Sequence, residues 1–444
     1  MTAWTADAVA AALGTPRPAA GRFRRVSTDT RALEPGDLFV ALAGPRFDGH
    51  AFLAEAKARG ALGAVVRRGT PEIPSLVAFE VDDTLEALGR LARARRRRVA
   101  GPVVAVTGSS GKTSTKEMLR AAFGTAWRVH ATTGNLNNLI GVPLTILEAP
   151  EETTALVVEA GASIPGEIAR LRAIIEPTIA VVTNVSYAHV AGFGSLAGVL
   201  AEKVSLTEGV PLAVVGLEPP ELAVEARRRA PTLVAGADRG ADVHPDVAAL
   251  DPEGYARIRW AGGEVTLGVV GFHQVDNAML ALAAARAAGA DPAQAVGALA
   301  AVRLPPGRAN VVQRGRLTVI DDTYNANPGS LRAALRFAQW LAAQRERPLA
   351  VVVGSMLELG AESARLHAAA AAEIMALTPA LVAAVGEFAT AFGAFAPQLG
   401  SRLLTAPDAA SLGPPLRAAL RGDEVVLLKA SRGVGLERVL PHLN

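Results

Sequence analysis

Continuous apolar runs that alternate with amphipathic stretches dominate the chain and predict an α/β fold. In the central third, the runs are ALVVE (155–159), TIAVVTN (178–184) and PLAVV (211–215). Runs that are apolar at every position, and not only at alternate ones, are typical of parallel strands buried on both faces. Between about 231 and 270 the segments become short and are broken by Gly, Asp and Pro. This change predicts antiparallel strands inserted in, or appended to, the central sheet.

Two breaks in the pattern predict three domains. Residues 1–98 form a small α/β unit, with a strand at 38–42 and a helix around 52–60. Residues 99–307 form a central domain with a mostly parallel sheet and a long alanine-rich helix at about 274–288. The segment LPPG (304–307) precedes a C-terminal domain, 308–444, in which apolar runs and helical stretches alternate and predict a Rossmann-like, doubly wound sheet. Its runs are LTVIDD (317–322), PLAVVVG (348–354), ALVAAVG (380–386) and EVVLLKAS (424–431).

Composition excludes several classes of protein. Half of the 444 residues are hydrophobic, yet no stretch of about 18 uninterrupted apolar residues occurs, so we expect no membrane span. The absence of cysteine excludes disulfides, thiol chemistry and sulfur-ligated zinc. The first residues, MTAWTADAVAAALG, predict a helix and not a signal peptide, and we therefore expect a cytoplasmic protein.

The charge pattern argues against a nucleic-acid partner. The net charge is only +3, and one local basic run, RARRRR (93–98), is expected to be a solvated helix end and linker. Only five of the 45 basic residues are lysines: Lys57, Lys112, Lys116, Lys203 and Lys429. Because arginine supplies the generic positive charge here, a retained lysine is a candidate for a role that needs an amine.

A phosphate-binding loop is predicted within VVAVTGSSGKTST (103–115). An apolar strand, a glycine-bearing loop, Lys-Thr and a helix follow in order, although only two residues separate the glycines where the usual motif has four. The alternative is a turn that merely contains Gly and Lys, but the ordered context favours a phosphate loop. In this motif, Lys112 would reach the β- and γ-phosphates and the Thr113 hydroxyl would bind magnesium. The predicted nucleotide contacts here are Gly108, Ser109, Ser110, Gly111, Lys112, Thr113 and Ser114.

Three further residues lie where ligands collect in such folds. Glu159 ends a predicted strand, His189 follows the next strand, and Lys203 lies on the helix after Gly194-Ser195. Each has an ordinary alternative, namely a helix cap, a structural histidine and a solvated lysine. Individually these three residues are weak signals.

The motifs together resemble the Mur ligase family, the ATP-dependent amide-forming enzymes of peptidoglycan synthesis. The resemblance runs almost end to end. The phosphate loop of this family is short, which explains why only two residues separate the glycines here. It is carried, in order, by STDTRALEPGDLFVALAGPRFDGHAF (27–52), TGSSGKTSTKEML (107–119), TTGNLNNLIGVPLTIL (132–147), VVEAGASIPGEI (157–168), AHVAGFGSLAGVLAEK (188–203), PPGRANV (305–311), DDTYNANPGSL (321–331), GSMLELG (354–360) and KASRGVGLE (429–437).

The resemblance implies a reaction and its substrates. In this family a peptide carboxylate attacks the γ-phosphate of ATP to give an acyl phosphate and ADP, and an incoming amine then displaces phosphate. Ligases that add diaminopimelate or lysine to the dipeptide carry Asp-Asn-Pro-Arg, whereas here Asn327-Pro328 is followed by Gly329-Ser330. The chain therefore resembles the branch that joins D-alanyl-D-alanine to UDP-N-acetylmuramoyl-tripeptide. We expect ATP and Mg²⁺ as cofactors and a monomer.

The resemblance also implies residue roles. Thr113, Glu159 and His189 correspond to magnesium ligands, and Lys203 corresponds to the family lysine that carbon dioxide carbamylates. Lys112, Lys203, Glu159 and His189 form the implied catalytic set. Implied nucleotide contacts outside the loop are Asn277 for adenine, Arg308 for the phosphates and Asp322 for the ribose. Implied substrate contacts are Ser27, Thr28, Arg31, Asp48, Gly49 and His50 for the uridine diphosphate, Asn135, Asn137 and Asn138 for the nucleotide sugar, and Tyr324, Asn325, Asn327, Ser431 and Arg432 for the dipeptide or ATP.

Other functions remain open at this point. A folylpolyglutamate synthase would keep the phosphate loop, Lys203 and the third domain but would not need residues 27–52. A nucleotide-dependent switch protein needs Asn-Lys-x-Asp, which TNVS (183–186) does not supply. An inactive scaffold is a third alternative, although every implied ligand position holds a suitable residue.

Overall fold

The computed structural model describes residues 4–16, 20–44 and 47–443. The chain folds into two compact units, and the division between them passes through the strands Val103–Thr107 and Ile179–Val182. The first unit comprises Met1–Val106, Ala126–Ala162 and Gly166–Ala180, and the second comprises Thr107–Thr125, Ser163–Pro165 and Val181–Asn444.

The N-terminal part of the first unit is a four-stranded parallel sheet with helices packed on it. Its strands lie in the order Val26–Ser27, Leu38–Val40, Gly63–Arg67 and Val77–Val81. The helices are Ala6–Leu13, Leu53–Ala58 and Thr84–Arg96, and two short antiparallel pairs join Trp4–Thr5 to Arg22–Phe23 and Ala43–Gly44 to Phe47–Asp48. The predicted first helix, the strand near 38–42 and the helix near 52–60 are confirmed.

Helix Thr84–Arg96 shows how the sequence determines this region. Asp83 caps it, since the Asp83 carboxylate accepts hydrogen bonds from the backbone N–H groups of Leu85 and Glu86. Leu88 and Leu91 on one face of the helix are fully buried in the core formed with the sheet. The opposite face carries charged residues, so the helix is amphipathic as its sequence requires.

The arginine run at 93–98 is only partly the solvated helix end that the sequence predicted, since Arg97 and Arg98 are exposed whereas Arg95 is buried. Arg95 is 4 % exposed, and its guanidinium donates to the carbonyls of Ala149 and Pro150 at 2.7 and 2.8 Å. Arg96 donates to the carbonyl of Ile175 at 2.7 Å. These guanidiniums satisfy carbonyls that follow or end other helices, so Arg95 and Arg96 have a structural task.

The rest of the first unit contains parallel strands and two helices. Strand Ala155–Glu159 is buried at every position and pairs on one side with Val129–Ala131 and on the other with Val103–Thr107. The continuous apolar run at 155–159 is thus confirmed as a buried parallel strand. The helices are Gly141–Leu147 and Glu167–Ile175.

The second unit begins with the remaining central elements. Strands Leu212–Val215 and Thr232–Val234 are parallel, and the phosphate-loop helix Lys112–Phe123 packs against the long helix His273–Ala287. Its other helices before residue 302 are Val190–Phe193, Leu196–Val204, Pro220–Arg227 and Pro292–Ala298.

The predicted antiparallel strands are present, but their placement differs from the prediction. Val247–Leu250, Tyr255–Trp260 and Gly263–Val270 form a separate three-stranded sheet, which is neither inserted in nor appended to the central one. Thr232–Val234, within the range predicted to be antiparallel, is parallel to its neighbour. Alternating burial along Tyr255–Trp260 shows that this small sheet covers the core with one face only.

A six-stranded sheet occupies the C-terminal part of the second unit. Its order is Asn310–Arg314, Leu317–Asp322, Val425–Lys429, Leu349–Val353, Leu381–Val385 and Leu403–Ala406, with only the first strand antiparallel. Adjacent residues such as Val319 and Ile320 enter separate cores on opposite faces, because side chains alternate along a strand. The covering helices are Pro328–Gln344, Ser363–Ala376, Glu387–Phe392, Ala396–Leu399 and Ala409–Ala419. The four predicted strands and the doubly wound pattern are confirmed.

Within the described ranges, no helix is both long enough and apolar enough to cross a membrane.

Candidate active site

The loop Gly108–Thr113 follows strand Val103–Thr107 and leads into helix Lys112–Phe123. Gly108 has φ 144°, and a Cβ there would lie 1.9 Å from Thr183 Oγ1, so only glycine fits. Lys112 Nζ donates to the Gly108 carbonyl at 2.7 Å, which folds the side chain back over the loop. Thr113 and Ser114 are buried in the first turn of the helix. This geometry is that of a phosphate-binding loop.

A neighbouring segment, 183–186, holds this loop in place. The backbone N–H groups of Ser109 and Ser110 donate to the backbone and side-chain oxygens of Asn184 at 2.9 and 3.1 Å. Thr183 Oγ1 donates to the Ser110 carbonyl at 2.5 Å, and Ser186 N–H donates to Ser109 Oγ at 2.9 Å. The first half of the loop is therefore fixed by the protein itself.

Asn277 lies directly beside the loop, on helix His273–Ala287. Gly111 has φ 78°, and a Cβ there would lie 2.5 Å from Asn277 Oδ1. Asn277 also accepts from Thr115 Oγ1 at 3.1 Å and donates to Gln274 at 2.9 Å. Both the oxygen and the nitrogen of its side-chain amide thus hydrogen-bond other side chains of the protein. Its predicted contact with adenine stays a prediction.

His189 has an unusual backbone and a charged surrounding. Its φ of 57° places it in the left-handed region at the start of helix Val190–Phe193. Burial, followed by the positive charge of Lys112, lowers the pKa of the imidazole, while Glu358 acts in the opposite direction. Lys203 lowers this pKa further, so the structure brings Lys112, His189 and Lys203 into one electrostatic environment. A neutral imidazole is the form that can bind a metal.

Lys203 is 1 % exposed on helix Leu196–Val204. Ser195 caps this helix by accepting from the Gly198 N–H, as expected for the Gly-Ser sequence before it. The ammonium nitrogen of Lys203 lies 5.3 Å from the centroid of the Phe193 ring. The ordinary alternative for this position, a solvated lysine, therefore does not hold.

In the first unit, Glu159 is 3 % exposed at the end of its strand. Its Oε1 accepts from Asn137 Nδ2 at 2.8 Å, and its N–H donates to Thr132 Oγ1 at 2.9 Å. Asn138 Oδ1 accepts from the Gly141 N–H at 2.8 Å, while Asn135 is exposed. The segment predicted to contact the nucleotide sugar therefore also orients Glu159.

The residues predicted to face the uridine diphosphate lie around two tight turns of the first unit. Asp29 caps the turn that contains Arg31 and pairs with its guanidinium at 2.7 Å, while Ser27 Oγ donates to the Asp29 carbonyl. His50 Nε2 accepts from the Arg67 N–H at 2.9 Å. A backbone hydrogen bond from His50 lowers the pKa of the Asp48 carboxyl. The predicted contacts Thr28 and Gly49 lie in the same turns, and Pro45 and Arg46 of this motif lie outside the described residues.

An ion pair that the sequence did not assign lies at the end of the C-terminal strands. Lys429, 2 % exposed, contacts Asp322 Oδ2 at 2.5 Å and donates to the Asn325 carbonyl at 2.9 Å. The scarcity of lysine was the one signal that pointed to Lys429. Asp322, the predicted ribose ligand, thus has a fixed cationic partner.

Two arginines converge on Tyr324. The guanidinium carbons of Arg308 and Arg432 lie 3.9 and 5.1 Å from the centroid of its ring, within the range of cation–π contact. Arg308 also lines a cavity of about 430 Å³ together with Arg303. Three of the residues predicted to bind the dipeptide or ATP are therefore brought together.

Asn327 connects the C-terminal sheet region to the phosphate loop. It caps helix Pro328–Gln344 by accepting from the Ser330 N–H at 2.9 Å, and its Nδ2 donates to Ser110 Oγ at 3.0 Å. Ser431 Oγ donates to the Ala326 carbonyl and accepts from the Leu357 N–H. Ser431 therefore contacts the residue that precedes Asn327, so these two predicted site residues lie close together.

Sequence reasoning missed Glu358. Its Oε2 lies against His189 Nδ1, and its carbonyl accepts from the Ala191 N–H at 3.0 Å. Glu358 belongs to the GSMLELG motif, but no residue of that motif was assigned a role from the sequence.

The donor set fits magnesium only with one modification. In the described part of the chain, no group of three or more His, Cys, Asp or Glu side chains is placed to hold a metal ion. The predicted ligands are instead a threonine hydroxyl, a carboxylate, an imidazole and a lysine. A protonated amine cannot bind Mg²⁺, whereas a carbamylated lysine presents oxygen donors, which Mg²⁺ prefers.

A strand, a glycine loop closed by Lys112, and a following helix define a nucleotide-phosphate-binding α/β protein. Three family models match the chain: the Mur ligase family catalytic domain over 22–96, the Mur ligase middle domain over 106–285 and the Mur ligase glutamate ligase domain over 307–432. The chain belongs to the Mur ligase family.

Named relatives cover nearly the whole chain. UDP-N-acetylmuramoyl-tripeptide–D-alanyl-D-alanine ligase of Bacillus subtilis is 33 % identical, over 99 % of this chain and 97 % of that protein. A crystal structure of MurF from Acinetobacter baumannii superposes with a TM-score of 0.89 at 32 % identity, covering 100 % of this chain and 99 % of that one. MurF ligase from Thermotoga maritima in complex with ADP gives a TM-score of 0.81 at 31 % identity, covering 95 % and 97 %.

Proposed function

We propose that this chain joins D-alanyl-D-alanine to UDP-N-acetylmuramoyl-tripeptide and converts ATP to ADP and phosphate in the process. The product is the UDP-N-acetylmuramoyl-pentapeptide precursor of peptidoglycan. The observation that carries the proposal is the buried Lys203 in one electrostatic environment with His189 and the phosphate-loop Lys112. The end-to-end similarity to ligases of that name supports the choice of substrates.

ATP is proposed to bind at the loop Gly108–Thr113. Lys112 closes this loop, and the N-terminus of the following helix favours phosphate charge. The Thermotoga maritima relative in complex with ADP supports an adenine nucleotide as the ligand. We propose that Arg308 and Asp322 contact the nucleotide from the C-terminal part, and that Asn277 contacts adenine.

Magnesium is proposed to be held by Thr113, Glu159, His189 and carbamylated Lys203. When bound, the ion neutralises charge on the phosphates. Carbamylation joins carbon dioxide to the neutral amine of a lysine and gives it carboxylate-like oxygen donors. Arginine at this position would remain protonated and could not form the carbamate, so the chemistry requires lysine.

The peptide chemistry then follows from positioning. The tripeptide carboxylate attacks the γ-phosphorus, ADP departs, and the carboxyl group becomes an acyl phosphate. The amine of D-alanyl-D-alanine attacks the acyl carbon, loses a proton, and phosphate leaves. Both steps develop negative charge, so we propose that Lys112 and Arg308 stabilise them. The two turns around Ser27 and Asp48 are proposed to bind the uridine diphosphate.

The decisive assay measures ADP and phosphate release with each substrate omitted in turn. We expect turnover only when UDP-N-acetylmuramoyl-tripeptide, D-alanyl-D-alanine, ATP and Mg²⁺ are all present. Turnover with folate and glutamate instead would reassign the chain to the folylpolyglutamate synthase branch. The assay also compares diaminopimelate and lysine as the third residue of the tripeptide.

The carbamate is tested with Lys203→Ala and the matched control Lys57→Ala, a lysine of the N-terminal sheet region. We expect Lys203→Ala to lose nearly all activity and to recover part of it with added acetate, while Lys57→Ala keeps full activity. Full activity of Lys203→Ala would refute the carbamate. A single subunit acting in the cytoplasm remains the proposal, which sedimentation and cell fractionation test.

A further inference from the structure

A short segment of the glutamate ligase domain, 356–360, lies on the helix that follows His189. The Glu358 carbonyl accepts from the Ala191 N–H at 3.0 Å. A Cβ at Gly360 would lie only 3.2 Å from Ala191 Cα, so the two backbones are in close contact. Ala191 lies in the range that matches the Mur ligase middle domain, and Glu358 lies in the range that matches the glutamate ligase domain.

Glu358 and His189 meet through side chains as well as backbone. Glu358 Oε2 lies against His189 Nδ1 at ion-pair distance, although the two atoms do not meet hydrogen-bond geometry, so the contact here is one of position and charge. Both residues have positive φ, 64° and 57°, although neither is glycine. A non-glycine residue in this region is disfavoured by about 1–2 kcal/mol and persists only where the surroundings require it. Because both backbones have this disfavoured conformation and the two side chains are in contact, the surrounding structure holds the pair in place.

The chemistry of imidazole gives this contact a consequence. An imidazole has two ring nitrogens, and a carboxylate that holds Nδ1 fixes both the tautomer and the ring orientation. Nε2 is then left with its lone pair for a metal. Carboxylate partners of this kind orient histidine ligands in many metal sites.

We propose that Glu358 is a positioning residue that holds His189 through Nδ1 so that Nε2 can bind the magnesium ion. The inference rests on the proposed role of His189 in magnesium binding. Segment 356–360 therefore orients the His189 ligand only while the segment is packed on helix Val190–Phe193. Glu358 acts only through His189 and is not proposed to contact the nucleotide or the substrate.

The test measures binding of Mn²⁺, as a probe for Mg²⁺, to the full-length protein with ADP by electron paramagnetic resonance. Two variants remove the carboxylate: Glu358→Gln keeps the side-chain size, and Glu358→Gly suits the positive φ, so that its backbone is not strained. Glu362→Gln is the matched control, because Glu362 lies on the following turn and pairs with Arg365. We expect both Glu358 variants to bind Mn²⁺ about 10- to 100-fold more weakly. The control and the metal-free affinity for ADP should be unchanged.

A double-mutant cycle with His189→Ala separates positioning from a general structural effect. If Glu358 acts through His189, Glu358→Gln should weaken Mn²⁺ binding in the native background and have no further effect in His189→Ala. Additive losses would overturn the inference. If His189→Ala weakens Mn²⁺ binding but the Glu358 variants match the native protein, this inference alone fails. If His189→Ala binds Mn²⁺ normally, the proposed metal role of His189 fails as well.

Discussion

Asn327 has two separable tasks, and two substitutions distinguish them. Its Oδ1 caps helix Pro328–Gln344 at Ser330, and its Nδ2 donates to Ser110 of the phosphate loop at 3.0 Å. Loss of the cap costs about 1 kcal/mol of stability, and loss of a neutral hydrogen bond costs about 1 kcal/mol. Asn327→Ala loses both and should be destabilised by about 2 kcal/mol. Asn327→Asp keeps the cap and should lose about half as much.

The two variants should rank differently in nucleotide binding. Asn327→Asp places a carboxylate beside the loop that we propose binds anionic phosphates, so its affinity for ATP should fall roughly tenfold or more, which corresponds to about 1.4 kcal/mol. Asn327→Ala should lose less affinity, since it adds no charge. Urea unfolding measures the stabilities, and titration calorimetry measures the ATP affinities.

A remote cap provides the control. Asp408 caps helix Ala409–Ala419 by accepting from the Ser411 N–H at 2.8 Å. Asp408→Ala should lose about 1 kcal/mol of stability with no change in ATP affinity. Native stability of Asn327→Asp, or native ATP affinity in Asn327→Asp, would show that Asn327 does not act on the loop as described.

Three other outcomes test the structural account. Arg95→Ala should lower the free energy of unfolding by about 2 kcal/mol, since two buried carbonyls lose their donor; a loss under about 0.5 kcal/mol in urea unfolding would contradict this. Lys429→Met should destabilise by about 3 kcal/mol because it leaves Asp322 without its cation, and unchanged urea unfolding would show the pair to be dispensable. Burial raises the pKa of Asp276, so native stability should fall as pH rises from about 4 through the folded pKa. Asp276→Asn should remove that fall, and identical pH–stability curves would refute it.

The central and C-terminal strands were predictable because their signal is local. A run such as ALVVE is apolar at every position, and a strand buried on both faces needs that pattern. The sheet that contains Tyr255–Trp260 was predicted as antiparallel, yet its separation from the central sheet was not. Register and sheet membership depend on contacts far apart in the sequence, which periodicity does not encode.

The site shows the same limit. The strand, loop and helix around Gly108–Thr113 are contiguous in sequence, so the motif sufficed to predict their geometry. Glu358 and Lys429 act on residues distant along the chain, and no spacing relates them to their partners. Arg95 was mispredicted because a basic run at a helix end usually faces solvent, whereas here carbonyls of the same unit surround it.

The anchoring of Ser109 and Ser110 by segment 183–186 has a consequence for the entropy of nucleotide binding. A flexible loop would lose conformational freedom when it closes on phosphate, at a cost of about 1–2 kcal/mol per backbone residue. Here Asn184 and Thr183 already restrict these residues. That ordering is completed during folding, so more of the interaction energy with phosphate remains available as affinity.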